Sequence, residues 1–274
     1  MQNQTLNLIL SFDVYDPVGA IGVQADITTF ASFGCHGLSV ITALIIGDTT
    51  GIQEIQALDP DWIADQARTL LEDMPISAIK VGYIGSVEIA SVIAEITADY
   101  PDLPLILDPF SRKLPDQNID EDLILGIIEL LLPQTKLFVI SECQLFRLVE
   151  TWGEYSKNQI LEKNVECLIT LGCEFVFVTG KIINSGNNLS NYLFCKKGLI
   201  SQSNWLRQDD TFIGAGNTLT AGISAKLGMG FSVSEAIVEA EIFNNSTLMH
   251  AKRLGMGKKI PNRFFWIKKK NFKK

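Results

Sequence analysis

The stretch Asp210-Thr211-Phe212-Ile213-Gly214-Ala215-Gly216-Asn217-Thr218 leads into a run of small residues that reads as a helix to about Leu227. Glycines let a backbone approach a ligand closely. The free N–H groups of a helix N-terminus attract phosphate oxygens, and the helix dipole adds to the attraction. A loop of this kind can hold the charge that develops on a transferring phosphoryl group. The same residues also fit a plain glycine turn with Asn217 as helix N-cap. Asp13 and Asp16 follow the first apolar run, where paired acids meet a substrate hydroxyl or amine, or stay solvated and cap a helix. Lys80 precedes Gly82 at the end of another apolar run, and Asp108 closes a third. Lys80 fits a site residue and a structural salt bridge equally well. His36 and His250 are too few and too far apart for a metal site. Cys35, Cys143, Cys167, Cys173 and Cys195 form no CxxC pair, and an odd count without metal spacing points to reduced thiols in the cytoplasm.

Alternating strand and helix signals would position these residues. Leu6–Phe12 reads as a buried strand, followed by a turn over Asp13–Ala20 and a helix from Gly22 to Phe33 that stops at Gly34. Leu38–Ile46 is a second strand. Asp59-Pro60 caps a helix beginning near Asp61. Strands are predicted at Ala78–Gly82, Pro104–Pro109, Leu137–Ile140 and Glu174–Thr179, with helices over Val87–Asp99, Glu121–Leu132 and from Ser141. Tyr192–Cys195 and Leu199–Ser203 form a hairpin turning at Lys196-Lys197-Gly198. Ser232-Val233-Ser234-Glu235 is a capping-box signature for a last helix reaching Ala251. Strands that are continuous apolar runs, interleaved with helices, imply an α/β domain with a mostly parallel central sheet covered on both faces, a three-layer α/β/α arrangement. Ligands on such sheets bind at the carboxyl ends of the strands. Residues 13–22, 80–85, 108–113, 179–182 and 211–218 are therefore the places to look.

The chain has 274 residues, 47% of them hydrophobic and 20% charged, enough for one large core and too apolar for intrinsic disorder. No linker divides it, so residues 1–255 read as one domain. The longest apolar stretch, Leu38–Ile46, has nine residues and is broken by Ser39 and Thr42, far short of the roughly 20 a membrane-spanning helix needs. The N-terminus lacks the basic segment of a secretory signal. These features predict a cytoplasmic protein. The formal net charge is -8, but ten Lys or Arg and no acid lie from Lys252 onward, leaving -18 on the first 251 residues. An acidic body repels phosphates and argues against nucleic-acid binding. Residues 256–274 read as a basic, aromatic C-terminal tail.

Several blocks in order resemble one family. Asp16-Pro17-Val18-Gly19-Ala20-Ile21-Gly22-Val23-Gln24-Ala25-Asp26-Ile27-Thr28-Thr29-Phe30 resembles the DPSGGAGIQADLKTF segment of hydroxymethylpyrimidine/phosphomethylpyrimidine kinases, members of the ribokinase-like superfamily. Gly34–Leu44 resembles their next block, G-x-x-G-x-S-x-I-T-A-L, and Thr50-Gly51-Ile52-Gln53, Lys80-Val81-Gly82-Tyr83-Ile84 and Leu107-Asp108-Pro109 fit further blocks. The resemblance covers most of residues 6–250. It implies a ribokinase-like fold, ATP and Mg2+ as cosubstrate and cofactor, a pyrimidine alcohol or its monophosphate as substrate, and a homodimer. By position it assigns Gln24, Asp16, Gly22 and Tyr83 to the substrate, and Gly214, Ala215 and Gly216 to the anion hole. Asp108, Ser141, Gln144, Gly180 and Lys181 fall to the nucleotide and magnesium. An amide such as Gln24 offers both a donor and an acceptor to an aminopyrimidine edge.

The departures from that pattern concern catalysis. Asn217 stands where the family has the Cys, or the superfamily the Asp, that takes the substrate proton, and an amide is a very poor base. Ser141 and Gln144 stand where an Asn and a Glu organise magnesium, and S-x-x-Q is itself a helix capping box. Val18, Ala20, Ile21 and Tyr83 make the substrate loop bulkier and less polar than the family's. Lys181 reaches nucleotide phosphates or is solvated. Three readings follow: a phosphotransferase for a pyrimidine hydroxymethyl group, with impaired catalysis; a degenerate small-molecule binding module; and a kinase for a pyridoxal-type vitamin alcohol.

Overall fold

The structure is a computed structural model and describes residues 6–110, 121–151, 160–183 and 188–267. Its nine strands form one sheet in the order β3-β2-β1-β4-β5-β6-β7-β8-β9. They are β1 (Leu8–Tyr15), β2 (His36–Gly47), β3 (Ile52–Ala57), β4 (Ile76–Val81), β5 (Leu105–Leu107), β6 (Leu137–Ser141), β7 (Phe175–Ile183), β8 (Asn188–Cys195) and β9 (Gly198–Leu206). The six central strands, β2 to β7 in space, pair in parallel. The flanking strands β3, β8 and β9 are antiparallel.

Alternation along the strands sorts the core into two layers. Leu10, Phe12, Ile79 and Val81 face one side, under α2 (Pro60–Asp73), α3 (Val87–Ala98), α4 (Glu121–Gly126), α5 (Glu142–Thr151) and α6 (Leu161–Thr170). Ile9, Ala78, Ile106 and Val139 face the other, under α1 (Gly22–Ser32), α7 (Ala215–Gly228) and α8 (Val233–Met249). Side chains of successive strand residues point to opposite faces, so an uninterrupted apolar run supplies both layers at once. The architecture is the three-layer α/β/α sheet that the sequence predicts.

The helix starts are chemically specified. Asp59 accepts hydrogen bonds from the amides of Asp61 and Trp62, and Pro60 occupies the first turn of α2. Ser232 and Glu235 form the reciprocal capping box that opens α8.

Four expectations change. β1 extends to Tyr15, with Asp13 paired to Ile41, so Asp13 belongs to the strand and not to the turn after it. The predicted helix to Leu132 divides at Gly126 into α4 and a π-helical turn, Ile127–Leu131, before Pro133, which has no N–H to continue an α ladder. β3 and α6 are additional elements. Finally, the segment after residue 255 is not a detached tail. Ile260 and Arg263 are buried. Lys259 exchanges backbone hydrogen bonds with Thr211 and Ile213, and Gly257 and Lys258 donate to Thr49. A run rich in bases can still pack when its apolar and arginine side chains find partners. Residues 268–274 of the predicted tail and 111–113 of the predicted 108–113 loop lie outside the described residues. No helix among the described residues is long and apolar enough to cross a membrane.

Candidate active site

At the carboxyl ends of β1, β4, β5, β6 and β7, a cavity of about 370 Å³ opens against the N-terminus of α7. Gly214 caps that helix with φ +91°, a left-handed conformation. A Cβ on it would lie 1.9 Å from the carbonyl oxygen of Ala20, so both the backbone angle and the contact require glycine. Ala215, Gly216 and Asn217 form the first turn and line the cavity. Amides of a first turn have no intrahelical acceptor and are available to an anion. A Cβ on Gly216 would meet nothing within 4 Å, so the backbone there borders open space. Asn217 is therefore not the N-cap. It is the third residue of the helix, and its Nδ2 donates to Asp13 Oδ2 at 3.2 Å.

Asp13 belongs to a buried charge cluster that ties three elements together. Lys80 Nζ, fully buried at the end of β4, donates to Asp13 Oδ2 at 2.8 Å and to Asp26 Oδ2 on α1 at 2.7 Å. Ser11 Oγ also donates to Asp26 Oδ2, at 2.6 Å. The other Asp13 oxygen accepts from the amides of Val14 and Tyr83. Gly82 makes room for this carboxylate, because a Cβ there would sit 2.0 Å from Asp13 Oδ2. Asp108, just past β5, lines the cavity and accepts from Thr220 Oγ1 on α7 at 2.7 Å.

One ammonium serves three carboxylates, and the proton affinities reflect it. Burial alone would lower the Lys80 pKa, but Asp13, Asp26 and Asp108 outweigh it and raise it, so Lys80 stays charged. Burial pushes the Asp26 carboxyl up to about 6 against the pull of Lys80. Its Oδ1 has no hydrogen-bond partner among the described residues. Burial likewise pushes Asp108 up to about 7, opposed by Lys80 and the Thr220 hydrogen bond.

The structure gathers most of the predicted site residues around this one cavity: Gly22, Tyr83, Asp108, Ser141, Gln144 and Gly180, with residues 214–217. Ser141 and Gln144 form the closed capping box expected of S-x-x-Q, and Gln144 Nε2 donates to the carbonyl of Phe110 at 2.7 Å. Three predicted residues do not line the cavity. The Asp16 carboxylate accepts from the amides of Val18, Ala20 and Ile21 and so fixes its own loop. Gln24 Oε1 accepts from the Asp16 amide at 3.1 Å, an engagement with the loop and not with the cavity. Lys181 lies over the Tyr192 ring and 3.4 Å from Glu142, where a cation finds a carboxylate and an aromatic face.

Sequence reasoning passed over Asp26, Thr220 and Arg263. Asp26 carried a readable signal: it falls in the buried stripe Gly22, Val23, Ala25, Asp26, Thr29, Phe30 of α1, where an acid must have a partner. Arg263, 5% exposed, was hidden by the basic residues around it.

The sequence matches the family model described as phosphomethylpyrimidine kinase over residues 16–262. The chain belongs to the phosphomethylpyrimidine kinase family. Among its relatives, the hydroxymethylpyrimidine/phosphomethylpyrimidine kinase of Staphylococcus aureus is 26% identical over 255 residues, covering 93% of this chain and 92% of the relative. The Escherichia coli kinase of the same name is 27% identical over 243 residues, covering 88% and 91%. In fold, the chain is similar to the pyridoxal kinase from Staphylococcus aureus in complex with ADP, with TM-score 0.84, 21% identity and coverage of 96% and 95%. It is also similar to phosphomethylpyrimidine kinase from Clostridium difficile, with TM-score 0.73, 24% identity and coverage of 88% and 99%. As a member of this kinase family, the chain carries an amide, Asn217, on the first turn of α7 and a carboxylate, Asp13, in contact with it.

Proposed function

We propose that the chain is an ATP-dependent kinase for the hydroxymethyl group of a pyrimidine or of its monophosphate, acting slowly for want of a base at residue 217. The observation that carries this reading is the shared cavity: the open first turn of α7, Asp13 with Lys80 bonded behind it, and Asp108 border the same space. The amides of Ala215, Gly216 and Asn217 take the oxygens of the transferring phosphoryl group. A carboxylate only accepts, so the group of Asn217 turned toward Asp13 is its NH2. Its carbonyl Oδ1 is then the atom left to accept from the substrate hydroxyl. Asp13, itself fixed by Lys80 and two amides, holds that orientation. The hydroxyl oxygen forms its bond to the γ-phosphorus as the bond to the β-phosphate oxygen breaks and ADP leaves. The proton passes to the transferred phosphoryl group. A loose transition state asks little of the nucleophile, which is why positioning alone sustains some rate.

Magnesium fits the donor set. Mg2+ keeps most of its water and needs only one or two carboxylates beside nucleotide phosphates. Asp108, on a wall with more carboxylates than cations, would hold it, and the ion would neutralise phosphate charge. Ser141 and Gln144 are neutral and bonded to each other, so they serve as a wall and not as ion ligands.

ATP consumption with hydroxymethylpyrimidine, its phosphate and pyridoxal tests the reading, with the wild type compared to Asn217→Asp. A base is worth roughly 10²–10⁴ in rate, so the variant should gain about 10²-fold. Its new carboxylate would lie against Asp13, and like charges raise proton affinity, so the gain should grow toward alkaline pH. Turnover by neither protein between about pH 6 and about pH 9 would remove the reading. The amide at 217 and the neutral 141/144 pair favour a second reading, a pyrimidine-binding module. Pyrimidine binding without ATP–magnesium binding or turnover, measured by calorimetry, would select it.

A further inference from the structure

The basic C-terminal segment carries a buried arginine, Arg263. Arg263 lies under the glycine turn, where its three nitrogens reach two different loops. Nε donates to Thr218 Oγ1 at 3.0 Å, Nη1 to the carbonyl of Gly19 at 3.3 Å and Nη2 to the carbonyl of Ala20 at 2.7 Å. Thr218 Oγ1 passes the link on, donating at 2.7 Å to the carbonyl of Gly214, the residue that caps α7. Ala20 is in turn the residue whose carbonyl a Cβ on Gly214 would strike. One guanidinium therefore sets the spacing between the 16–21 loop and the first turn of α7. The segment that carries it is fastened on both sides of this point. Lys259 is bonded to Thr211 and Ile213, and Ser32 Oγ donates to the Arg263 carbonyl at 2.9 Å.

A cation beside a helix N-terminus opposes the helix dipole, and its burial has a cost. Burial lowers the Arg263 pKa to about 10, while Asp26 and Asp16 draw it back up, so the charge persists at neutral pH. An uncharged hydrogen-bonding side chain would hold the loops without opposing the dipole. Asp16 and Asp26 balance part of this charge, and an anion in the turn would be attracted by the guanidinium and by the helix dipole in the same direction.

We propose that Arg263 is a positioning residue for the phosphoryl-binding turn: it holds Gly214–Thr218 at its distance from the 16–21 loop and adds a buried positive charge to the anion site. The catalytic part rests on the kinase reading; the anion part does not.

The test uses the full-length protein and compares wild type with Arg263→Gln and Arg263→Lys. Calorimetry measures ADP, pyrophosphate and adenosine. The proposal expects Arg263→Gln to weaken ADP and pyrophosphate at least about tenfold and to leave adenosine within about twofold. Arg263→Lys, which keeps the charge but has one nitrogen, should fall between. In turnover, KM for ATP should rise in both variants, and in a third variant, Arg263→Ala, added guanidinium should partly restore it. Equal anion affinity in wild type and Arg263→Gln, with only the melting temperature lowered, would overturn the proposal and leave Arg263 a structural staple. Failure of the wild type to bind either anion would overturn it too. If Arg263→Gln does not fold, Arg263→Lys decides by the same ADP-to-adenosine ratio. A wild type that binds ADP in an Arg263-dependent way but phosphorylates no pyrimidine would sink the kinase reading and leave this proposal standing.

Discussion

Asp13, Asp26 and Asp108 surround the buried ammonium of Lys80, which opposes the effect of burial on Asp108 without cancelling it. Burial raises its carboxyl from the ordinary 3.8 to about 7, so the folded chain holds this proton more tightly than the unfolded chain does. The contribution to stability is therefore complete below the unfolded value and is lost as pH rises through about 7. Asp108→Asn keeps an acceptor for Thr220 and removes the titration. Urea unfolding should show the variant gaining on the wild type from about pH 4 to about pH 7 and levelling off above it. A stability difference independent of pH would contradict the assignment. At this scale the sequence was partly legible. Asp108 and Lys80 close apolar runs, which places them at strand ends where a ligand binds. The Lys80–Asp26 bond depends on how α1 lies over β1 and β2, beside β4, a tertiary relation that no local pattern encodes. Gln24 was read by position alone. Its engagement with the Asp16 amide follows from the loop's fold, which bends the chain back onto the first turn of α1.

Helix α7 is the element on which the site depends, and its first turn separates two uses of glycine. Gly214 is required by its φ of +91° and by the Ala20 carbonyl 1.9 Å from any Cβ. Gly216 has open space instead. Gly214→Ala should therefore shift the turn and lower kcat/KM for ATP by about 10²-fold or more, with stability falling by about 1–3 kcal/mol. Gly216→Ala should keep or slightly raise the melting temperature, since alanine favours helices, yet weaken ATP by placing a methyl at the cavity wall. Equal losses of stability in the two variants would contradict this division. Elements rich in apolar and β-branched residues, such as β1, β2 and β6, were legible because burial of most of their side chains leaves few polar interruptions. β3 was not, because Gln53, Glu54 and Gln56 make it an exposed edge with no apolar run. Of α5, only the start was legible, from the Ser141–Gln144 box.

Across the whole molecule, the parallel sheet brings the ends of β1, β4, β5, β6 and β7 to one rim, and α7 closes that rim with its N-terminus. This much follows from βα alternation. The role of the C-terminal segment does not, because composition sees ten bases and cannot see that Arg263 and Ile260 turn inward. The segment ties together Gly19 and Ala20, Thr49, and Thr211, Ile213 and Thr218, which lie far apart in the chain; Ile21, Phe212 and residues 214–217 beside them line the cavity. Whether that cavity does phosphoryl transfer, and not ATP hydrolysis or mere binding, is settled by following the phosphorus itself. With ATP labelled in the γ-phosphoryl group, magnesium and hydroxymethylpyrimidine or its phosphate, the account predicts that the wild type places the label in a pyrimidine phosphoester. Label found only in inorganic phosphate, or left entirely in ATP, would contradict it.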